Sequence, residues 1–210
     1  VEQIRWAQGR GLRIFAETCP QYLVLTGDHL DAPGFEGAKY VCSPPPRDAE
    51  SQEAIWRGLR SGVFHVFSSD HAAFRFDHPE GKKRHGTDAP FAKIPNGVPG
   101  VETRLPILFS EGVNKGRIDL GTFVALTATN PAKLYGLYPR KGTIALGGDA
   151  DLALWDPGRR VRVSAAMLHD RVGYTPYEGR ELVGWPVTVL SRGRVVVQDG
   201  RLHVEPGSGQ

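Results

Sequence analysis

Apolar and polar positions in the first third of the chain alternate between helical and strand spacings. Residues 1–8 have the spacing of a helix, and residues 13–18 that of a short strand. Residues 48–60 are predicted as a second helix with Asp48 as its N-cap, and residues 63–67 as the next strand. Strands that are followed by helices after short turns indicate a parallel α/β sheet or barrel.

The middle of the chain contains a long segment without periodicity. Residues 71–103 are rich in Gly, Pro and His, and a loop of this length in a compact domain is usually functional or disordered. Helical spacing returns at residues 104–112 and 119–138. Within the latter, Asn130 and Pro131 are predicted to begin a separate helix, Asn130 as its cap and Pro131 as its first residue.

The pattern changes again after residue 140, where helices nearly vanish and turn signals recur. Short strands are predicted at 142–145, 150–155, 187–190 and 194–197, the last followed by the turn Asp199-Gly200. We therefore expect an α/β region at residues 1–139 and a small antiparallel β-module with a tail at residues 140–210.

The composition fits a globular chain and excludes several classes of function. With 40% hydrophobic and 23% charged residues among 210, the chain can bury a core. The net charge of +3 is small, and the basic runs at 82–84 and 159–160 are interpreted as solvated loop faces rather than a nucleic-acid surface. No apolar run approaches the roughly 18 residues of a membrane span. Cys19 and Cys42 lack CxxC spacing and are expected to be buried free thiols of a cytoplasmic protein.

The stretch HVFSSDHAAF, residues 65–74, ends an apolar strand in an acid. In α/β barrels, catalytic groups lie at the carboxyl ends of strands, where Asp70 is expected. A carboxylate there can bind a divalent metal ion or accept a proton from an activated water molecule. On the motif alone, Asp70 as a cap of the following turn remains an alternative.

Two further segments combine rigid backbone with a polar residue. In VCSPPPR, residues 41–47, three prolines hold the chain around Ser43 extended. In KIPNGVPGVE, residues 93–102, the glycines around Asn96 allow close approach of a ligand to the backbone. Taken singly, these segments are better explained as a plain rigid linker and a surface turn.

Taken together and in order, these blocks resemble the cyclic amidohydrolases, most closely the D-hydantoinase/dihydropyrimidinase family. The matching blocks are AETCPQYL (16–23), FEGAKYVCSPPPR (35–47), FSSDHAAF (67–74), KIPNGVPGVETR (93–104), LFSEGV (108–113), NPAKLYGL (130–137) and KGTIALGGDADLALWDP (141–157). The resemblance implies the C-terminal part of a (β/α)8 TIM-like barrel, with its last strands and helices, followed by the C-terminal share of a β-sandwich.

The same resemblance implies a chemistry, the ring-opening hydrolysis of hydantoins or dihydropyrimidines to N-carbamoyl products. Two divalent metal ions, usually zinc, activate a water molecule in this family. Asp70 matches the aspartate that binds one metal ion and transfers the proton to the leaving nitrogen. Ser43 and Asn96 match the residues that hold the substrate, largely through backbone groups. Relatives are typically homo-oligomers, so a tetramer or dimer is expected.

The chain departs from the family's pattern in its metal ligands. The family also uses an HxH pair, a carbamylated lysine and two further histidines, all upstream of the region matched here. This chain has seven histidines and no HxH pair. We therefore expect the C-terminal portion of a longer enzyme, inactive alone. Alternatives are an allantoinase or dihydroorotase, a non-catalytic dihydropyrimidinase-like scaffold protein, and an inactive fragment.

Overall fold

The structure is a computed structural model that describes residues 1–208. It contains the expected mixture of helices, a parallel strand pair and an antiparallel sheet, so the α/β class is confirmed. The predicted β-module and tail extended to residue 210, and Gly209 and Gln210 lie outside the described residues.

Helices dominate the first two thirds of the chain. The α-helices are α1 (Glu2–Gly9), α2 (Gln21–Val24), α3 (Ala49–Arg60), α4 (Arg104–Leu108), α5 (Leu120–Val124) and α6 (Asn130–Leu134). Single turns of 3-10 helix cover Gly27–Asp31, Glu36–Tyr40, Phe91–Lys93 and Ala165–Met167, and wider π-helical turns cover Phe109–Asn114 and Ala125–Thr129. Across residues 1–208, no helix combines the length and the apolar character needed to cross a membrane.

The strands are β1 (Glu17–Thr18), β2 (Val66–Phe67), β3 (Leu152–Arg162), β4 (Glu181–Ser191), β5 (Arg194–Gln198) and β6 (Arg201–Leu202). β1 and β2 pair in parallel, with Glu17 opposite Val66. Both are shorter than predicted, because each pairs only with the other within the described chain and residues beyond the pairing have no ladder to join. Ile14 and Phe15, which were predicted to lie in the first strand, are instead exposed.

Helix α3 forms as its sequence predicts. The Asp48 side chain caps it by accepting a hydrogen bond from the Ser51 N–H at 2.8 Å. Trp56 on its inner face is buried in the core. Packing explains why this helix contains Gly58, although glycine is a poor helix former. A Cβ at this position would lie 2.7 Å from the ring of Phe64.

The prediction that Asn130 caps a separate helix is wrong. The chain is helical without interruption from Leu120 to Leu134, and Asn130 has helical dihedral angles within it. Its side-chain nitrogen donates to the carbonyl of His65 at 3.0 Å, so the amide joins the helix to β2. Pro131 lacks an N–H, so it cannot donate a backbone hydrogen bond to the π-helical turn Ala125–Thr129 that precedes it.

The antiparallel sheet has the order β3-β4-β5-β6. The predicted hairpin at Asp199-Gly200 is confirmed, since it joins β5 to β6 and both residues have positive φ. The strand predicted at 142–145 is wrong: these residues belong to no strand and follow a bent, irregular path, and Ile144 is exposed. β3 and β4 are longer than predicted because they pair with each other from Leu152 opposite Leu190 to Arg162 opposite Glu181, with two irregularities in the register between these ends.

Aromatic side chains join the helices to this sheet. The ring of Trp155 on β3 stacks on Phe109 with 4.7 Å between ring centroids, and it meets the edge of Phe123 at 5.6 Å. Leu182 on β4 is fully buried in the same cluster, together with Trp56 of α3. The main hydrophobic core is therefore continuous across residue 140.

Candidate functional site

Asp70 lies just beyond the carboxyl end of β2, where the sequence predicted it. Its side chain is exposed and its φ of +47° is uncommon for a residue other than glycine, although Asp tolerates this region better than most. Gln21, which is fully buried, donates from Nε2 to Asp70 Oδ2 at 3.3 Å. Because Gln21 lies just after β1, the two parallel strands bring the amide and the carboxylate together at one end of the pair.

His71 anchors the strand end to the glycine-rich segment. Its Nδ1 accepts hydrogen bonds from the N–H groups of Gly100 at 3.1 Å and Val101 at 3.3 Å. A nitrogen that accepts two N–H donors carries no proton, so a neutral His71 ring is protonated at Nε2. The N–H of Ala72 donates to Val98 at 3.0 Å, which continues the contact. No sequence motif had pointed to this role of His71.

Ser43 and Asn96 are in direct contact. Asn96 Nδ2 donates to Ser43 Oγ at 2.6 Å, and both residues are exposed. Behind them, the N–H of Gly97 donates to the carbonyl of Val41 at 2.9 Å. Position 97 requires glycine, because φ is +129° and a Cβ would lie 2.3 Å from that of Ala72.

A cavity of about 570 Å³ opens between these groups. Asp70 and Ser43 both line it, together with Thr18 at the end of β1 and Tyr22. The Tyr22 hydroxyl donates to the carbonyl of Pro44 at 3.0 Å, which fixes one wall. The structure therefore brings two of the three predicted site residues to one cavity. The third, Asn96, does not line this cavity but is hydrogen-bonded to Ser43, which does.

The two cysteines are buried and free, as expected. Burial raises the pKa of each thiol to about 11, and the nearby Asp70 carboxylate adds to both shifts. Cys19 Sγ lies 3.1 Å from the hydroxyl oxygen of Ser68, so the thiol connects the ends of β1 and β2. Thiols in this state are weak nucleophiles at neutral pH.

The burial of Lys82 shows that the basic run at 82–84 is not simply a solvated loop face, as had been expected. Only 1% of this residue is exposed. Its ammonium donates to the carbonyls of Val41 at 3.2 Å, Pro95 at 2.7 Å and Gly97 at 2.6 Å. Burial lowers the pKa of Lys82 to about 8, so the side chain is still mainly charged at neutral pH. Nothing in the local sequence distinguishes it from the half-buried Lys83.

The residues present do not fit a two-metal centre by themselves. Among residues 1–208, no three His, Cys, Asp or Glu side chains come together in a group that could hold a metal ion. Asp70 contributes one carboxylate, and one ligand cannot retain a metal pair. The expectation that further ligands lie outside this chain stays a prediction.

Comparison with known proteins gives a consistent result. Residues 41–196 match the model of the amidohydrolase family, whose members generally use divalent metal ions. A D-hydantoinase of Rhizobium radiobacter is 48% identical over 209 residues, a match that covers 100% of this chain and 45% of that protein.

Solved structures show the same similarity in three dimensions. A D-hydantoinase crystal structure superposes with a TM-score of 0.94 at 47% identity, over 100% of this chain and 45% of its own. The dihydropyrimidinase from Brevibacillus agri NCHU1002 gives a TM-score of 0.90 at 46% identity, over 96% of this chain and 43% of its own. The chain thus spans somewhat less than half the length of the relatives that it matches.

Proposed function

Because this chain belongs to the amidohydrolase family, we propose that it forms part of an enzyme that hydrolyses the ring amide bond of hydantoins and dihydropyrimidines. The expected resemblance to D-hydantoinases is confirmed by the comparisons, and the activity is proposed from it. One observation carries the proposal: Asp70 and Ser43, which lie 27 positions apart in the sequence, line the same cavity.

Asp70 is proposed as the proton-transfer group. The water oxygen forms a bond to the ring carbonyl carbon, and Asp70 accepts the proton that the water gives up. The bond between that carbon and the ring nitrogen then breaks, and Asp70 returns the proton to the nitrogen. The product is an N-carbamoyl amino acid, and the aspartate is regenerated.

Ser43 and Asn96 are proposed to hold the substrate ring. The cyclic imide edge offers alternating carbonyl and N–H groups, which main-chain groups of the two residues can match. Their backbone is held rigid by the prolines after Ser43 and by the bond from Gly97 to Val41. Such pre-positioned polar groups lower the entropic cost of orienting the ring.

Asp70 is also proposed as a ligand of the divalent metal ions that the family generally uses, with zinc as the expected metal and two ions as the expected number. The remaining ligands belong to residues outside this chain. When bound, the metal ions would supply Lewis-acid activation of the water and the ring carbonyl.

The parallel pairing of β1 and β2 supports a further structural proposal. Residues 1–139 contribute the last strands and helices of a (β/α)8 barrel, and residues 140–210 contribute one share of a β-sandwich. This makes the chain the C-terminal portion of its enzyme. We also propose a homo-oligomer, tetramer or dimer, and a cytoplasmic location, which two free thiols favour.

The proposed activity is tested on the full-length polypeptide that the native gene encodes. Hydantoin, dihydrouracil, allantoin and dihydroorotate are incubated separately, and the ring-opened products are quantified by liquid chromatography. We expect turnover of hydantoin or dihydrouracil, and a loss of about 10³-fold in kcat for Asp70→Asn. Asp77→Asn is the matched control, since this exposed acid pairs with Lys83 in the same loop.

Each other outcome has a defined meaning. Turnover restricted to allantoin or dihydroorotate would replace the proposed substrate class. No turnover of any ring by a folded, metal-supplied protein would favour the non-catalytic scaffold alternative. An Asp70→Asn enzyme as active as the Asp77→Asn control would remove Asp70 from the mechanism.

A further inference from the structure

Lys82 is a buried cation that has no carboxylate partner in the described part of the chain. Lysine is almost never fully buried unless it is paired, because moving an ammonium out of water is costly. Within residues 1–208, no ion pair involves Lys82, although Lys83 next to it pairs with Asp77. The buried charge therefore needs another explanation.

Three backbone carbonyls supply that explanation. An ammonium group has three N–H donors, and Lys82 directs them at the carbonyls of Val41, Pro95 and Gly97, at 2.6 to 3.2 Å. Every donor therefore has an acceptor. Lys82 is not among the residues that line the cavity beside Asp70.

The position of these carbonyls in the sequence is informative. Pro95 and Gly97 flank Asn96 on either side, and Val41 lies two residues before Ser43. One side chain thus holds both segments that carry the predicted substrate-binding residues. The segments are otherwise joined by the Gly97 N–H to Val41 bond and by the Asn96 to Ser43 bond.

We propose that Lys82 is a positioning residue that ties the Ser43 segment to the Asn96 segment and so sets the geometry of the substrate-binding edge. The inference rests on the proposed function for the role of the two segments. Removing the ammonium leaves three carbonyls without their shared donor, and the segments separate or exchange partners with water. Asp70 keeps its own contacts, so proton transfer is affected less than binding.

The test compares Lys82→Met with Lys83→Met in the full-length polypeptide. Methionine keeps the length and apolar stem of lysine without its donors, and the neighbouring Lys83 is the matched control. Hydrogen–deuterium exchange is followed by mass spectrometry in peptides covering residues 41–47 and 94–100, with α3 as an internal reference. We expect exchange to accelerate by about tenfold or more in both segments for Lys82→Met alone.

Kinetics supply a second readout that a general structural defect would not reproduce. We expect the KM for hydantoin to rise by about tenfold in Lys82→Met while kcat falls by less, and Lys82→Arg to recover part of the loss because it keeps a charged donor. Lys82→Gln, which retains two N–H donors, is expected to lie between the wild type and Lys82→Met.

Several results would overturn the inference. Unchanged exchange in both segments of a folded Lys82→Met or Lys82→Gln protein would show that the ammonium does not tie them. Loss of the cooperative melting transition in both variants would show that Lys82 supports the whole fold instead. A wild type that opens no cyclic amide would refute the proposed function, whereas the exchange data would still decide whether the tie exists.

Discussion

Asn96 donates a hydrogen bond from its side-chain nitrogen to the hydroxyl oxygen of Ser43, with 2.6 Å between the two atoms. The two residues lie 53 positions apart, so only the fold brings them together. Both residues are exposed, and Ser43 lines the cavity beside Asp70.

We predict that these two side chains act as a unit in substrate binding. Asn96→Ala and Ser43→Ala should each raise KM, and the double variant should raise it by less than the product of the single effects. A double-mutant cycle is expected to give a coupling of about 0.5–1.5 kcal/mol. Strictly additive free energies in that cycle would show that the hydrogen bond does not matter for binding.

Gln21 is predicted to orient the Asp70 carboxylate. Gln21→Leu removes the donor at 3.3 Å and should lower kcat by about tenfold. Gln21→Glu places a second carboxylate there, which disfavours ionisation of the first, so the acid limb of the pH–rate profile should move to higher pH.

Gln52→Leu is the control for this pair, because Gln52 donates to the carbonyl of Leu25 outside the site. It removes an equivalent amide, and its pH–rate profile should match that of the wild type. An unmoved acid limb in Gln21→Glu would contradict the assigned role.

Thiol reactivity is predicted to depend steeply on pH. Burial raises the pKa of Cys19 and Cys42 to about 11, so the thiolate fraction in the folded protein is small below that pH. Alkylation by iodoacetamide should be about 100-fold slower at pH 8 than in the unfolded chain from ionisation alone, and should rise about tenfold per pH unit.

Single Cys→Ser variants assign the rates to each site, and urea-unfolded protein provides the reference. A rate in the folded protein that levels off near pH 9 would mean that the thiols have ordinary acidity.

Trp155 is predicted to stabilise the fold by joining sheet to helices. Trp155→Ala removes its stack on Phe109 and its edge contact with Phe123, and should lower the free energy of unfolding by about 2–4 kcal/mol. Urea titration measures the change. Tyr135→Ala, which truncates a side chain that is 75% exposed, should change it by less than about 0.5 kcal/mol. Equal losses of unfolding free energy in the two variants would show that the aromatic cluster does not stabilise the packing of the sheet on the helices.

Features that depend on neighbouring residues in the sequence could be predicted well. The cap at Asp48 and the hairpin at Asp199-Gly200 each follow from a few side chains and their preferred dihedral angles. The position of Asp70 also followed from local pattern, because an apolar run that ends in an acid marks the end of a strand.

Features that depend on distant partners could not be predicted in the same way. The lengths of β3 and β4 are set by pairing with each other, which no window of either strand contains. Asn130 looks like a cap because its acceptor, the carbonyl of His65, is 65 positions away. Lys82 looks like a surface residue because its three acceptors come from two remote segments.

The aromatic joint between Trp155, Phe109 and Phe123 has a consequence for recombination among related sequences. A crossover placed near residue 140, where the sequence changes character, would take the tryptophan from one parent and both phenylalanines from the other. Hybrids that keep the three rings from a single parent should therefore retain foldability more often than hybrids that divide them, whatever the overall identity of the parents.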